Sequence, residues 1–243
     1  MGAKFANLAA FLSLLCIAGG SGVFATTFTL FNKCKHSVWP GIQPSAGRPV
    51  LANGGFRLMP LQAMSIVPPA GWSGRIWGRH GCSFDSDGKG LCATGDCGGQ
   101  LHCNGAGGAP PATLAEITLG TQDFYDVSLV DGYNLPIAIA PRRGSGKCTY
   151  AGCISDLNLS CPPSLQVKNE QGCVMACKSA CFAFSTPQYC CTGSYGNPQT
   201  CRPTSFSRLF KNACPRAYSY AYDDPNSLVT CSGADYLITF CPH

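Results

Sequence analysis

The sequence predicts an all-β, exported domain held together by disulfides, and three observations carry that prediction. Short runs of alternating β-branched and aromatic residues recur along the chain. Charged residues make up only 12 %, against 29 Gly and 18 Pro, and 18 cysteines are spread through 243 residues. Short strands with Gly and Pro punctuation belong to sandwiches or barrels rather than to helical folds. Cysteine at this density belongs to a chain matured in an oxidising compartment.

The elements follow in order. Lys4, an apolar run over 8–18 and small residues ending in Val23-Phe24-Ala25 form a secretory signal, so residues 1–25 are expected to leave and the mature chain to start at Thr26. The apolar run is shorter than the roughly 20 residues a bilayer needs, which favours export over an anchor. Ala6 stands where myristoylation of Gly2 would require Ser or Thr. No later segment is long and apolar enough to cross a membrane. Residues 26–31 alternate Thr27 and Thr29 against Phe28 and Leu30, as a half-buried strand should. A short strand at 37–39 is expected to end at Pro40-Gly41. Further strands are expected at 64–67, 74–77, 115–119, 124–129, 137–140 and 236–240, most of them separated by Gly, Pro or Asn. Val174, Cys177, Cys181 and Phe184 fall near helical spacing, which predicts one helix over 172–184.

The mature chain keeps 17 of the 18 cysteines, all 12 acids and a net charge of +4, since Cys16 and Lys4 leave with the signal. Its longest basic run is Arg142-Arg143, which does not imply nucleic acid. His36, His80 and His102 join the cysteines in no ligand pattern, so neither a metal nor another cofactor is expected. His80 and His102 are expected to be exposed spectators. Asn158-Leu159-Ser160 is a glycosylation sequon whose neighbours Cys153 and Cys161 crowd it.

Several segments carry a family resemblance. The run Gly88-Lys89-Gly90-Leu91-Cys92-Ala93-Thr94-Gly95-Asp96-Cys97-Gly98-Gly99-Gln100-Leu101-His102-Cys103 resembles the signature of thaumatin-like proteins. Similar matches occur at 113–116, at 123–132, at 214–220 and at 236–242. The resemblance spans the mature chain and implies a core sandwich of two antiparallel sheets at 26–79, 112–154 and 215–243. A small disulfide-rich lobe is implied at 80–111 and a larger one with the helix at 155–214. It also implies eight disulfides: Cys34–Cys241, Cys82–Cys92, Cys97–Cys103, Cys148–Cys231, Cys153–Cys214, Cys161–Cys177, Cys181–Cys190 and Cys191–Cys201. The sequence alone chooses none of these pairings. Cys173 is left over, as a buried thiol, an exchange partner for Cys177 or an intermolecular bridge.

The resemblance further implies a cleft lined by Arg75, Glu116, Asp126, Asp131 and, within Tyr222-Asp223-Asp224, Asp223. Asp126 and Asp131 lie five apart, which in a regular strand would put them on opposite faces; a strand end near Gly132 would break that parity. Four carboxylates in one groove repel, so at least one should hold its proton unless Arg75 intervenes. Tyr125 and Tyr133, beside the acids, are candidates to stack on sugar faces. The alternative is a structural salt-bridge network. The implied function is an extracellular, apoplastic defence protein, monomeric and antifungal, binding β-1,3-glucan or a related fungal wall polysaccharide. The absence of a tail beyond His243 fits export rather than vacuolar delivery. A second reading is weak endo-β-1,3-glucanase activity, with Glu116 as proton donor and Asp131 or Asp126 as its partner. Membrane disruption has only the net positive charge in its favour.

Overall fold

The computed structural model describes residues 25–242, so the expected export segment lies, apart from Ala25, outside the described residues. The chain is mostly β. Its strands are β1 (Phe28–Asn32), β2 (Trp39–Pro44), β3 (Ala63–Ile66), β4 (Ser73–Arg79), β5 (Ser83–Phe84), β6 (Gly90–Leu91), β7 (Leu114–Thr118), β8 (Asp123–Ser128), β9 (Ile137–Ser145), β10 (Ala151–Cys153), β11 (Gln166–Lys168), β12 (Val174–Cys177) and β13 (Val229–Phe240). Three short helices, α1 (Ala180–Phe184), α2 (Pro187–Cys190) and α3 (Ser205–Ala213), lie between β12 and β13.

Nine strands form one curled, hydrogen-bonded path in the order β10-β9-β13-β8-β7-β4-β2, with β1 and β3 branching from β13. The long strand β13 makes the join. Its first residues, from Val229 to Cys231, pair with β8, and from Ser232 onward it pairs with β9. Where two separate sheets were expected, one strand makes the sheet continuous. The core on its concave side includes Phe28, which packs edge-on against Trp72 at 5.5 Å and Tyr236 at 6.1 Å. Alternation works as expected in β1, where Phe28, Leu30 and Asn32 are buried and Thr29 and Phe31 are not.

Two expectations need correction. The strand expected at 37–39 begins at Trp39 and runs through Pro40-Gly41 to Pro44. Proline is tolerated there because β2 lies at the end of the sheet path, where a missing N–H need not break a central ladder. Gly41 is required because it pairs with Trp77 and a Cβ there would overlap the indole. The indole is fully buried and donates to the Gly95 carbonyl at 2.7 Å. Gly41→Ala is expected to cost about 1–3 kcal/mol by overpacking, read as a lower urea midpoint; an unchanged midpoint would show that the Trp77 ring can move aside.

The second correction concerns the single helix expected at 172–184. Its first half is strand β12, which pairs with β11, and only Ala180–Phe184 is helical. The near-helical spacing straddled two elements. Cys177 is tied to Cys161 and exchanges backbone hydrogen bonds with Tyr133, which holds Val174–Cys177 extended. Ser179 then caps α1 by accepting from the Phe182 N–H.

Eight disulfides close the structure, with the pairs implied by the resemblance. Cys34–Cys241 joins β1's end to the end of β13 across 207 residues of sequence, and five of the eight close loops of 16 residues or fewer in the lobes. Cross-linking of this kind restricts the unfolded chain and is worth roughly 2–5 kcal/mol per native bridge. Cys173 is free and exposed, which removes the buried-thiol reading. It follows Gly172 at the tip of the β11–β12 hairpin, where a positive φ of 79° turns the chain.

One sheet face sets up the site. On β4, Ile76 and Gly78 point into the main core, whereas Arg75, Trp77 and Arg79 point the other way. The segment 80–111 covers Trp77 and Arg79, whose side chains donate to the Gly95, Gln100 and Leu101 carbonyls, and both are fully buried. Arg75 lies beyond its edge and stays open to solvent.

Candidate functional site

Four strands carry the floor of a groove in a single row. Gln43 on β2 pairs with Arg75 on β4, Arg75 with Glu116 on β7, and Glu116 with Asp126 on β8. Paired residues on neighbouring strands share a face, with Cβ atoms about 4.5–5.5 Å apart. The row therefore follows from register alone. Asp131 joins it because β8 ends at Ser128 and the chain turns, with the Gly132 N–H bonded to the Leu129 carbonyl at 2.9 Å. Gly132 adopts a φ of 95°, and a Cβ there would lie 2.7 Å from Pro111 Cβ and 2.8 Å from the Cys177 carbonyl. The turn thus requires glycine both for its backbone angle and for space.

The groove holds about 390 Å³ and is lined by Arg75, Glu116, Asp126, Asp131, Tyr218 and Asp224, among others. Asp223, the acid expected here, is not among its lining residues. Asp223 turns away to meet Lys211 Nζ at 2.9 Å and accepts from the Ser219 N–H and Oγ. Lys211 also donates to the Ala217 carbonyl and to Ser227 Oγ, so this cation pins the loop that presents Tyr218 and Asp224. Tyr218 donates to Asp224 Oδ1 at 2.7 Å. Sequence reasoning could not separate two adjacent aspartates, because the deciding partner lies twelve residues upstream.

The ion pairs are loose. Arg75 Nε lies 3.6 Å from Glu116 Oε1, and Nη1 lies 3.8 Å from Asp131 Oδ2. Charge-assisted hydrogen bonds are about 2.7–2.9 Å, and Arg75 and Asp131 are each more than two-fifths exposed. Such pairs contribute about 1 kcal/mol or less. Asp126 is the more constrained acid. Its Oδ2 is buried with no hydrogen-bond partner among the described residues. Burial first, then the charges of Glu116 and Asp224, push its carboxyl up to about 8, with Arg75 opposing. Burial also raises Glu116, offset by Arg75 and reinforced by Asp131. The groove therefore gathers four acids around one guanidinium, with acceptors left unfilled.

The two tyrosines expected to stack on sugars do not reach the groove. Tyr125 and Tyr133 are fully buried and donate to the Thr149 and Ser155 carbonyls. Strand parity explains the miss: Asp126 faces out, so its neighbour Tyr125 faces in and Phe124 faces out. Phe124 is 40 % exposed and lines a depression that continues the groove past Arg75, Glu116 and Asp126. Tyr218 was the other aromatic missed.

Three further residues can be placed. His80 is half-buried rather than exposed, whereas His102 is exposed as expected, with its Nδ1 hydrogen-bonded to the Gly55 carbonyl at 2.8 Å. Asn158 Nδ2, the atom a glycan would occupy, donates to the Asn134 carbonyl at 3.0 Å and the Met175 carbonyl at 3.4 Å. Among the described residues, no three His, Cys, Asp or Glu side chains are placed to hold one metal ion, and no helix is long and apolar enough to cross a membrane.

The chain is similar to known proteins over most of its length. The model of the Thaumatin family matches residues 32–242. A thaumatin-like protein of Arabidopsis thaliana is 64 % identical, covering 98 % of this chain and 97 % of its own length. Pathogenesis-related thaumatin-like protein 3.5 of Cryptomeria japonica is 58 % identical over 95 % of this chain and 96 % of its own. A protein of Prunus avium named glucan endo-1,3-beta-glucosidase is 50 % identical, again over 95 % and 96 %.

Proposed function

Because this chain belongs to the thaumatin family, we propose that it is an exported, antifungal defence protein whose groove binds β-1,3-glucan of the fungal wall. The observation that supports this best is the surplus of unfilled acceptors. Four carboxyl groups share one loosely held guanidinium, and Asp126 Oδ2 has no donor. A polysaccharide supplies rows of hydroxyl donors that such a groove lacks. The depression beside Phe124 lengthens the floor, so an extended chain has room on both sides of Glu116. An exposed aromatic face beside carboxylates also suits sugar rings, which have one apolar side. The two joined halves, read as a two-sheet sandwich, act as a rigid cross-linked platform, and the name of the Prunus avium relative points to the same polymer.

Sedimentation with insoluble β-1,3-glucan tests the proposal. Wild-type protein is expected in the pellet, with Glu116→Ala retained at least fivefold more weakly. Equal retention of the two, or none of the wild type, contradicts the reading.

A hydrolytic role is the second reading, favoured by the Glu116–Asp126 pair. Asp126 holds its proton near neutrality and is the better general acid, with Glu116 beside Arg75 as the ionised partner. This exchanges the roles expected from the sequence. Cross-strand pairing sets the Cβ atoms of Glu116 and Asp126 about 4.5–5.5 Å apart, so both carboxyls rise from neighbouring points of one floor, as a two-carboxyl mechanism needs. Reducing ends released by the wild type and lost in Asp126→Asn, with sedimentation kept, support it; no release by the wild type leaves binding alone.

A further inference from the structure

The groove does not end at the carboxylates. Arg75 borders three depressions, and the strand register gives their directions. The main one, of about 390 Å³, reaches Leu114 on β7 and Ser128 on β8, on one side of the Glu116–Asp126 pair. The second, of about 170 Å³, reaches Thr118 and Phe124, on the other side of the same pair. These two share Arg75, Glu116 and Asp126, so together they make one floor that runs along β7 and β8. The third, of about 370 Å³, lies instead over β2 and β4, bordered by Gln43, Ser45, Ala46, Gly74 and Arg75 among others. It meets the floor at Ser45, Gly74 and Arg75, and so leaves it sideways, across the strands. Gly74 has no side chain to bar that passage. The groove therefore forks.

The side arm differs from the floor in chemistry. The floor is rich in carboxylates, which when ionised only accept hydrogen bonds. Among the described residues that line the arm there is no acid. The Gln43 amide and the Ser45 hydroxyl offer donors and acceptors together, which is what a sugar hydroxyl pairs with. The amide is also held in place: it rests on Gly107, where a Cβ would lie 2.9 Å from Gln43 Oε1. A group already positioned loses little freedom on binding. Arg75 stands at the corner between arm and floor. Its contacts with Glu116 and Asp131, at 3.6 and 3.8 Å, are too long for charge-assisted hydrogen bonds, so its N–H groups stay open to a ligand. The arm's volume falls within the roughly 300–1,000 Å³ of small-ligand pockets, ample for one sugar.

An unbranched chain laid along the floor leaves this arm empty. A chain that turned into the arm would give up the far end of the floor, where Phe124 and Leu228 are exposed. A glucan with a side chain fills all three depressions at once. In a β-1,3-linked backbone the linkages occupy C1 and C3, whereas C6 is an exocyclic carbon whose primary hydroxyl stands clear of the ring. It is the freest point for a side chain.

Resting on the glucan reading above, we propose that the preferred ligand is a branched glucan. Its β-1,3 backbone lies along β7 and β8, and a glucosyl unit attached at C6 of one backbone residue enters the arm. Gln43 and Ser45 bind that unit and so determine specificity for branched over linear polymer, with the Arg75 guanidinium beneath the branch point.

Two oligosaccharides with the same β-1,3-linked hexaose backbone test this, one linear and one bearing a single β-1,6-linked glucosyl unit on an internal residue. Calorimetric titration of the mature chain is expected to give at least about fivefold tighter binding of the branched one, the worth of one or two net hydrogen bonds. Gln43→Ala should remove that preference and leave affinity for the linear hexaose unchanged, which also shows that the fold is intact. Ser45→Ala should act in the same direction, whereas Glu116→Ala weakens both ligands alike. Equal affinity of the wild type for the two ligands, a preference that survives both Gln43→Ala and Ser45→Ala, or a Gln43→Ala protein that loses both ligands in the same proportion overturns this inference and leaves the glucan reading standing. No binding of either ligand by the wild type overturns both.

Discussion

Arg79→Met is expected to destabilise the protein by at least about 4 kcal/mol, with the loss concentrated in residues 80–111. Arg79 is fully buried and is not paired with a carboxylate among the described residues. Its guanidinium instead donates to the carbonyls of Trp39, Pro40, Gln100 and Leu101, and to Cys97 Sγ. It also lies over the Phe84 ring. Two of those carbonyls belong to β2 and two to the small lobe, so one side chain fastens the lobe to the sheet. Burial is the main cause that pushes the guanidinium down to about 10, with Asp96 opposing. The charge is therefore costly in itself, and its value lies in the acceptors it satisfies. Methionine would remove the Arg79 donors from the Trp39, Gln100 and Leu101 carbonyls, while Pro40 keeps the Phe56 N–H at 3.4 Å; each buried acceptor left without a donor costs about 1–3 kcal/mol. Arg79→Lys keeps the charge but loses the planar fork and should recover less than half of the loss. Urea titration gives the total, and hydrogen exchange over 80–111 gives its location. A loss below about 1 kcal/mol would show that the lobe is held by its disulfides and by Trp77 alone.

The second large effect has the opposite sign. Asp126→Asn is expected to stabilise the protein at pH 8 by about 2 kcal/mol and to change little at pH 4. The folded state raises this carboxyl from 3.8 to about 8. Its contribution is thus fully present below pH 3.8 and is lost as pH rises through 8. Each unit of displacement is worth about 1.4 kcal/mol, reduced here because the side chain is not fully shielded from solvent. An amide has no charge to lose and escapes the penalty. This result separates a ligand groove from a structural salt-bridge network. Removing a member of a stabilising network lowers stability at both pH values, whereas removing an acid held against its own preference raises it at the higher one. Urea midpoints at pH 4 and pH 8 for both proteins decide the matter.

Much of the fold was legible before any coordinates. Alternation placed β1, and turn residues bounded β3, β4, β7 and β8 to within a residue or two. The misreadings have physical causes. Pro40-Gly41 looked like a strand end because both residues weaken strands, but the edge position and the Trp77 ring against Gly41 override that preference. Val174, Cys177, Cys181 and Phe184 imitated a helix because a disulfide-fixed strand is followed directly by a helical turn. Helix α3 went unread although Thr204 and Ser207 form a capping box and Phe206, Leu209 and Phe210 recur at helical spacing. It lies in the stretch from Cys148 to Cys214, whose ten cysteines directed the reading to disulfides rather than to periodicity.

Within the site, the types of residue were legible and their directions less so. Arg75, Glu116 and Asp126 come together because three strands register them opposite one another, which no spacing along the chain reveals. Asp131 lines the same groove as Asp126 because the chain turns at Gly132. Parity, applied outward from Asp126, would have preferred Phe124 to Tyr125. The choice of Asp224 over Asp223 depends on Lys211, and the meeting of His36 with His80 follows from the pairing of β2 with β4, which puts Trp39 opposite Arg79. Long-range contacts of this kind leave no local signature.

Amide chemical-shift mapping during titration with a β-1,3-linked glucose hexamer tests the central claim most directly. Glucan lying over the carboxylate row predicts saturable shifts around Arg75, Glu116, Asp126, Asp131 and the 217–224 loop, abolished by Glu116→Gln. Shifts confined to another face, or none at millimolar hexamer with the fold intact, would contradict it.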